Sequence, residues 1–184
     1  METSMRRTMM SAIIGCLVAF AIAQAQTPTP LIGESSPALP VSAVNRPLRI
    51  PPEANFGEVP SVALDARNHL YVFNRGSRPL MEFDADGRYV RELAQGLITR
   101  AHSVRVDSTG YIWLVDDTDH HVIRLDPSGR VVMVLGRRGR PGDTEELFNR
   151  PTDVAVNSRG EIFVADGYGN SRIVKFSSEL GVLG

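Results

Sequence analysis

The sequence predicts an all-β fold made of repeated four-stranded units, and three observations support this prediction. Residues 61–88 align without a gap on residues 103–130, an offset of 42 residues. Residues 153–181 repeat the pattern at an offset of 50, with one extra residue in the turn at Tyr168. Each unit holds short apolar runs separated by turn formers, and no helical period follows the N-terminal apolar segment. A period in the forties with four strands per unit is typical of a β-propeller blade.

The N-terminal 25 residues have the layout of a secretory signal peptide. Arg6 and Arg7 precede an apolar run over 9–20, and Ala-Gln-Ala at 23–25 forms a small-x-small cleavage site. The arginine pair also permits a twin-arginine signal, which its neighbours support poorly. A lipoprotein anchor at Cys16 is not favoured, because apolar residues continue past the cysteine. We therefore expect a secreted or periplasmic protein, with no membrane attachment after cleavage.

Residues 26–46 are rich in proline and serine and lack periodicity, so they are predicted to be an extended linker. The chain has a single cysteine, and cleavage after residue 25 would remove it. No disulfide is then available in the oxidising compartment. The formal net charge is −1, which gives no reason to expect nucleic acid or an anionic membrane as partner.

The propeller domain is predicted over 47–184, with blades at about 60–93, 101–136 and 151–184. The second unit shows the pattern most clearly. Its apolar runs lie at 103–107, 111–116, 122–126 and 131–135. Asp, Ser, Thr, Pro and Gly, which favour turns, fill the connections between them. In the third unit, the stretch 167–170 is likewise predicted to be a turn.

Three blades are too few to close a ring, because propellers contain four or more. The last residues, 181–184, match the end of the outer strand of the second unit. We therefore expect that the chain is part of a longer protein and that missing C-terminal blades complete the ring; a second chain is the alternative. Either way, the two terminal blades are expected to expose apolar faces.

The third unit, "FNRPTDVAVNSRGEIFVADGYGNSRIVKF", resembles an NHL repeat. A more specific similarity joins "LGRRGRPGDTEELFNRPTDVAV" to "ADGYGNSRIVKFS", a combination that resembles the peptidyl-α-hydroxyglycine α-amidating lyases. The resemblance covers residues 60–184, or about the first half of a six-bladed domain. It implies an enzyme that splits a C-terminal hydroxyglycine into a peptide amide and glyoxylate, with catalytic zinc and structural calcium.

The resemblance also implies roles for individual residues. Arg75 in "FNRG" corresponds to a functional arginine, His102 in "AHSV" to a zinc ligand, and Tyr168 in "DGYGNSR" to the catalytic tyrosine. Calcium would take backbone carbonyls from Val62 and Val104. Three positions depart from the pattern, and the family's other zinc histidines would lie beyond Gly184. The departures are Ala101 for a proline, and Asn149 and Gly169 for a cysteine pair.

Blade topology gives an independent reason to group the same residues. An inner strand starts at the mouth of the channel and the second strand ends there, so His102, Arg75 and Tyr168 are predicted to face one mouth. Neutral imidazole is a good zinc ligand. A tyrosine acts as a base when a nearby guanidinium favours its phenolate, so Arg75 could serve the phenol or bind a substrate carboxylate.

Simpler interpretations remain open for each residue. Tyr168 between two glycines could be a turn residue, Arg75 a solvated side chain, and His102 a histidine without a metal. His69 lies at the opposite end of its blade, and His120 is predicted to be structural. At the level of function, a non-catalytic NHL propeller that binds a peptide, protein or carbohydrate is the alternative. A lactonase-like calcium enzyme lacks a supporting Glu or Asn at an inner-strand head.

Overall fold

A computed structural model describes residues 40–45 and 47–178 of the chain. The predicted signal peptide, most of the predicted linker and the end of the third unit lie outside these residues. Residues 40–45 are exposed and form neither strand nor helix. None of the helices in the described ranges has the length and apolar character needed to cross a membrane.

The described chain forms three separate antiparallel sheets, with four, four and three strands. The first sheet contains β1 (Ser61–Leu64), β2 (Leu70–Phe73), β3 (Leu80–Phe83) and β4 (Tyr89–Leu93). The second contains β5 (Ala101–Val106), β6 (Ile112–Asp116), β7 (His121–Leu125) and β8 (Val131–Gly136). The third contains β9 (Asp153–Val156), β10 (Ile162–Asp166) and β11 (Arg172–Phe176). Each strand pairs with the next one in sequence, which is the meander of a propeller blade and confirms the predicted fold class.

The turns after the inner strands are built by one repeated device. The side chain of Asp107 accepts hydrogen bonds from the backbone N–H groups of Thr109 and Tyr111, at 2.9 and 3.1 Å. Asp65 and Asn157 occupy the same repeat slot and accept bonds from the residues two and four positions further on. Such Asx turns close the chain locally, which explains why the turn positions could be predicted from composition.

A second repeated device fixes the loops at the mouth. The second strands of the three blades end at, or directly before, Asn74, Asp116 and Asp166. Each of these buried side chains accepts a backbone N–H from the loop that precedes the inner strand of its own blade. The loops that lead into the three inner strands are therefore tied to the second strands of their own blades.

The hydrophobic core lies between the blades. Along β6, Ile112 and Leu114 pack towards the first blade, whereas Trp113 and Val115 pack towards the third. Successive side chains in a strand point to opposite faces, so a blade with neighbours on both sides buries all four residues. This explains why the strands read as continuous apolar runs instead of alternating ones.

The two terminal blades differ from each other. The outer face of the first blade, which includes Val72 and Phe83, is covered by Leu48, Ala54 and Phe56. Phe56 and Phe83 meet edge to face with ring centroids 6.1 Å apart. Residues 47–56 therefore cover part of this face, whereas Val62 and Leu64 of the inner strand, on the same face, are 51% and 59% exposed as expected. On the outward face of the third blade, Ile173 is 66% exposed.

Candidate functional site

His102 owes its orientation to an irregularity in β5. Ala101 pairs with Asp116 and Ser103 pairs with Val115, so His102 is an extra residue in the ladder. A β-bulge of this kind redirects a side chain. The His102 Nδ1 atom lies 2.6 Å from the carbonyl oxygen of Thr152. Because a carbonyl only accepts, Nδ1 must carry the proton, and Nε2 presents its lone pair on the other side of the ring.

Tyr168 is carried by a single turn of helix, α1 (Gly167–Asn170). The sequence predicted a non-helical turn here, and that prediction is wrong. The backbone N–H groups of Tyr168 and Gly169 donate to the carbonyls of Arg150 and Asn149 in the loop before β9, at 3.3 and 2.9 Å. A Cβ on Gly169 would come within 2.2 Å of the Asn149 side chain, so this close approach requires glycine.

The phenol of Tyr168 meets the imidazole of His102. The Tyr168 Oη atom lies 3.1 Å from Nε2 of His102, and the rings pack edge to face with centroids 5.3 Å apart. Since Nδ1 holds the histidine proton, the phenol O–H donates to Nε2. Tyr168 is nevertheless 59% exposed, so the pair is open to solvent. A small molecule could therefore reach both groups at once.

Arg75 lies in the turn after β2, in the first blade, and its side chain reaches the start of β5 in the second blade. Its Nε atom donates to the carbonyl oxygen of Ala101 at 3.1 Å, directly before His102. Its backbone N–H donates to Glu58. The described contacts do not join Arg75 to Tyr168. The three predicted residues thus come from three blades, and two of them touch directly.

Sequence reasoning missed the guanidinium that does contact the tyrosine. The Cζ atom of Arg150 lies 5.0 Å from the centroid of the Tyr168 ring. Arg150 also binds the carboxylate of Asp117, which it shares with Arg100. The sequence did carry a signal for these arginines. Arg100 and Arg150 are equivalent positions in the second and third units, and they lie two residues before the equivalent positions His102 and Thr152.

The two positions implied for calcium lie on adjacent inner strands. Val62 is the second residue of β1 and is exposed, whereas Val104 lies within β5 and is fully buried. The strands are linked by a hydrogen bond from the Val104 N–H to the Ser61 hydroxyl at 3.1 Å. Backbone carbonyls from neighbouring strands are suitable calcium ligands.

A different polar cluster lies at the far end of the first blade. Asp65, His69 and Glu82 have ligand atoms within 4.8 Å of one another. The carboxylates are already paired, with Arg67 at Asp65 and Arg91 at Glu82. Burial works to raise the pKa of Glu82, but hydrogen bonds from His69 and Arg91 hold that pKa below its ordinary value. The cluster is therefore neutralised without a metal.

His120, just before the start of β7, is structural in its contacts. The Nδ1 atom of His120 accepts a hydrogen bond from the backbone N–H of Arg150 at 3.0 Å, and His120 itself has a left-handed φ of 58°. The imidazole therefore holds the loop that carries Arg150.

Comparison with known proteins agrees with this architecture. Residues 148–176 match the NHL repeat model. The three sheets resemble the blades of an NHL propeller, and the chain resembles the amidating lyases over most of its length. It is similar to a probable peptidyl-alpha-hydroxyglycine alpha-amidating lyase of Caenorhabditis elegans, with 32% identity over 70% of this chain and 43% of the relative. Peptidyl-alpha-hydroxyglycine alpha-amidating lyase 2 of Drosophila melanogaster is 31% identical over 76% of this chain and 42% of its own length. The chain thus spans less than half of the length of each of these lyases.

A longer relative shows the same similarity. The peptidylglycine alpha-amidating monooxygenase of Rattus norvegicus is 34% identical over 66% of this chain and 15% of its own length. Among solved structures, a streptogramin B lyase superposes with a TM-score of 0.54 and 15% identity, over 69% of this chain and 40% of that one. A Bacteroides thetaiotaomicron protein of unknown function gives a TM-score of 0.57 and 17% identity, over 68% of this chain and 34% of that one. At such identities the structures support the propeller fold alone.

Proposed function

We propose that the protein is a peptidyl-α-hydroxyglycine α-amidating lyase, acting when a complete ring is present. One observation supports the proposal most strongly: the Tyr168 phenol is hydrogen-bonded to the His102 imidazole, at 3.1 Å, in a chain similar to such lyases. A titratable oxygen and a metal-binding nitrogen, held together on an open surface, suit the cleavage of a carbinolamide.

His102 is suited to hold zinc. Its Nδ1–H is engaged by the Thr152 carbonyl, and metal-binding histidines in proteins are commonly oriented in this way by a backbone or carboxylate acceptor. Nε2 would be the zinc ligand, with further ligands supplied from other blades. Zinc would then take the lone pair that accepts the Tyr168 hydroxyl, and so release the phenol from that hydrogen bond. The bound zinc would act as a Lewis acid on the substrate oxygen.

Tyr168 is suited to move the proton. As the base, its phenolate oxygen takes the proton of the substrate hydroxyl, and the hydroxyl oxygen becomes the aldehyde oxygen of glyoxylate as the carbon–nitrogen bond breaks. The bonding pair goes to nitrogen, and Tyr168 returns the proton there to complete the peptide amide. The exposed ring leaves room for a peptide chain.

The supporting roles belong to the same proposal. Arg75, whose Nε atom donates to the carbonyl oxygen directly before His102, keeps the start of β5 in place. Val62 and Val104 would offer carbonyl oxygens to a structural calcium ion between the inner strands. Export by the signal at residues 1–25 would place the enzyme in a secreted or periplasmic compartment.

The test is turnover of N-benzoyl-α-hydroxyglycine by the purified full-length protein, with glyoxylate and benzamide measured together. We expect equimolar products and about one bound zinc per chain by atomic emission. If zinc-loaded protein forms no glyoxylate above the buffer rate, the lyase proposal fails. The same surface would then serve as a non-catalytic binding site.

A further inference from the structure

Arg150, which lies beside Tyr168, and Arg100 share a single buried carboxylate oxygen. Oδ2 of Asp117 accepts a hydrogen bond from Nη1 of Arg100 at 2.6 Å and from Nη2 of Arg150 at 3.2 Å. The Asp117 side chain is 0% exposed, whereas those of Arg100 and Arg150 are 41% and 48% exposed. The carboxylate lies beneath, and the two guanidinium groups lie between it and solvent.

The two guanidinium groups share one direct carboxylate partner. The neighbouring buried carboxylate of Asp116 accepts only backbone N–H groups, among them that of Arg100. The nearby carboxylate of Asp119 is already engaged by Arg138 and by the Thr99 hydroxyl, at 2.8 and 2.7 Å. Asp117 therefore fixes the two arginines without neutralising both.

Most hydrogen-bonding capacity of the two arginines is unused. A guanidinium group has five N–H donors. Among the described residues, each of these two makes one side-chain hydrogen bond, to Asp117. Oδ1 of Asp117 also lacks a partner there, although it is buried. Exposed donors that are held in place and have no other protein partner among the described residues can be offered together to a ligand that accepts several bonds at once.

The position of the pair points to one kind of ligand. The Arg150 guanidinium lies 5.0 Å from the Tyr168 ring centroid, and Arg100 directly precedes the Ala101–His102 segment of β5. A planar carboxylate matches the planar fork of a guanidinium group and can accept two parallel N–H bonds. Neither arginine was among the residues that the sequence singled out.

We propose that Arg100 and Arg150, bridged by Asp117, form a carboxylate-binding subsite that receives the C-terminal carboxylate of the substrate. The assignment rests on the proposed lyase function for the identity of the ligand, since an α-hydroxyglycine substrate ends in a carboxylate beside the reacting carbon. It assigns substrate binding to Arg150 and leaves Arg75 to support the loop. Asp117 is a positioning residue that holds the two guanidinium groups in place.

Binding of non-cleavable probes tests the subsite without turnover. N-acetylglycine carries the carboxylate, and N-acetylglycinamide replaces it with an uncharged amide of nearly the same shape. We expect the acid to bind the purified protein about 10-fold more tightly than the amide, because charge-assisted hydrogen bonds are stronger than neutral ones. Arg150→Gln or Arg100→Gln should weaken the acid about 10-fold and leave the amide unchanged.

A matched control is available on the same surface. Arg138 is similarly exposed and is also paired with an aspartate, so Arg138→Gln should leave both affinities unchanged. If Arg150→Gln has a lowered melting temperature, Arg150→Lys is the alternative, because it preserves the charge and removes the planar pair of donors. This variant should still lose most of the preference for the acid. Equal affinity of acid and amide in the wild type, or a preference that survives both glutamine variants, overturns the subsite.

The two proposals fail in different ways. If the acid preference depends on Arg100 and Arg150 but no α-hydroxyglycine compound is cleaved, the subsite stands and the lyase function falls. If cleavage occurs and the acid preference is unaffected by either variant, the lyase function stands and the subsite falls.

Discussion

The phenol oxygen of Tyr168 lies 3.1 Å from Nε2 of His102, and the two residues are 66 positions apart in the sequence. The histidine projects from a bulge in the inner strand of the second blade, and the tyrosine from a helical turn after the second strand of the third. The contact therefore spans a blade boundary. Its geometry depends on how the second and third blades pack, through the cluster around Trp113 and Val154.

Replacing Tyr168 by phenylalanine should separate chemistry from folding. The ring that packs against His102 remains, and only the phenol oxygen is lost. We expect turnover of N-benzoyl-α-hydroxyglycine by the full-length protein to fall by about 100-fold or more, because a positioned acid–base group contributes at least that much. The free energy of unfolding should change by about 1 kcal/mol, the value of one hydrogen bond. Steady-state kinetics and urea unfolding provide the two measurements.

Tyr111→Phe is the matched control for this substitution. Tyr111 packs under the guanidinium of Arg124, directly before β6 starts, at the end of the blade away from His102. Removal of the Tyr111 phenol oxygen should leave turnover unchanged. Equal activity of Tyr168→Phe and wild type would remove the tyrosine from the mechanism.

Replacing His102 by alanine should lower the zinc content of the full-length protein. The substitution removes Nε2, the atom that would bind the metal, while Thr152 loses only one donor. Zinc measured by atomic emission after dialysis should drop well below one ion per chain.

His69→Ala distinguishes this site from the other histidine cluster. His69 contacts Glu82 at the opposite end of the first blade, with the ring nitrogen 2.7 Å from the carboxylate. Zinc should be unaffected by the change. The reverse result, with zinc lost from His69→Ala and retained in His102→Ala, would move the metal to the Asp65–His69–Glu82 cluster.

Asp107 should make stability depend on pH. Burial works to raise its pKa, but hydrogen bonds from Thr109 and the Trp113 indole hold that pKa below the ordinary value of 3.8. A group whose pKa is lowered by folding stabilises the fold above that ordinary value, and the stabilisation is lost as the pH falls through the lowered one. Asp107→Asn should therefore destabilise the protein by about 1–3 kcal/mol at pH 7, because the amide nitrogen that replaces Oδ2 cannot accept from the indole N–H.

Circular dichroism at pH 7 and near pH 3 tests this expectation. The difference in melting temperature between wild type and Asp107→Asn should shrink at the lower pH. Asp86→Asn, at an exposed aspartate of the first blade, should have little effect at either pH. A constant difference for Asp107→Asn would show that its ionisation is not linked to folding.

The outward face of the third blade should govern self-association of the 184-residue chain. Ile173 is 66% exposed on this face, where a fourth blade would pack. We expect the chain to associate in sedimentation velocity and Ile173→Glu to shift it towards monomer. Val132→Glu, at an exposed position of β8, is the control and should not change association. A monomeric wild-type chain would contradict the expectation.

The sequence alone determined the fold class and the order of strands. Those properties depend on local features: Asx turns closed by Asp65, Asp107 and Asn157, and apolar runs that repeat with the blade period. Repeat spacing also indicated which end of each blade Arg75, His102 and Tyr168 would occupy. Such information is readable because the blades are copies of one unit.

Only the tertiary structure decided which side chains meet. Arg150 contacts Tyr168, and Arg75 contacts Ala101 instead, because the angle between blades sets which loops approach one another. The cover that residues 47–56 provide for the first blade and the helical turn at 167–170 also depend on neighbouring segments. A repeat pattern specifies the strands and turns within each blade. These contacts arise between blades, and their distances and charges cannot be inferred from sequence periodicity.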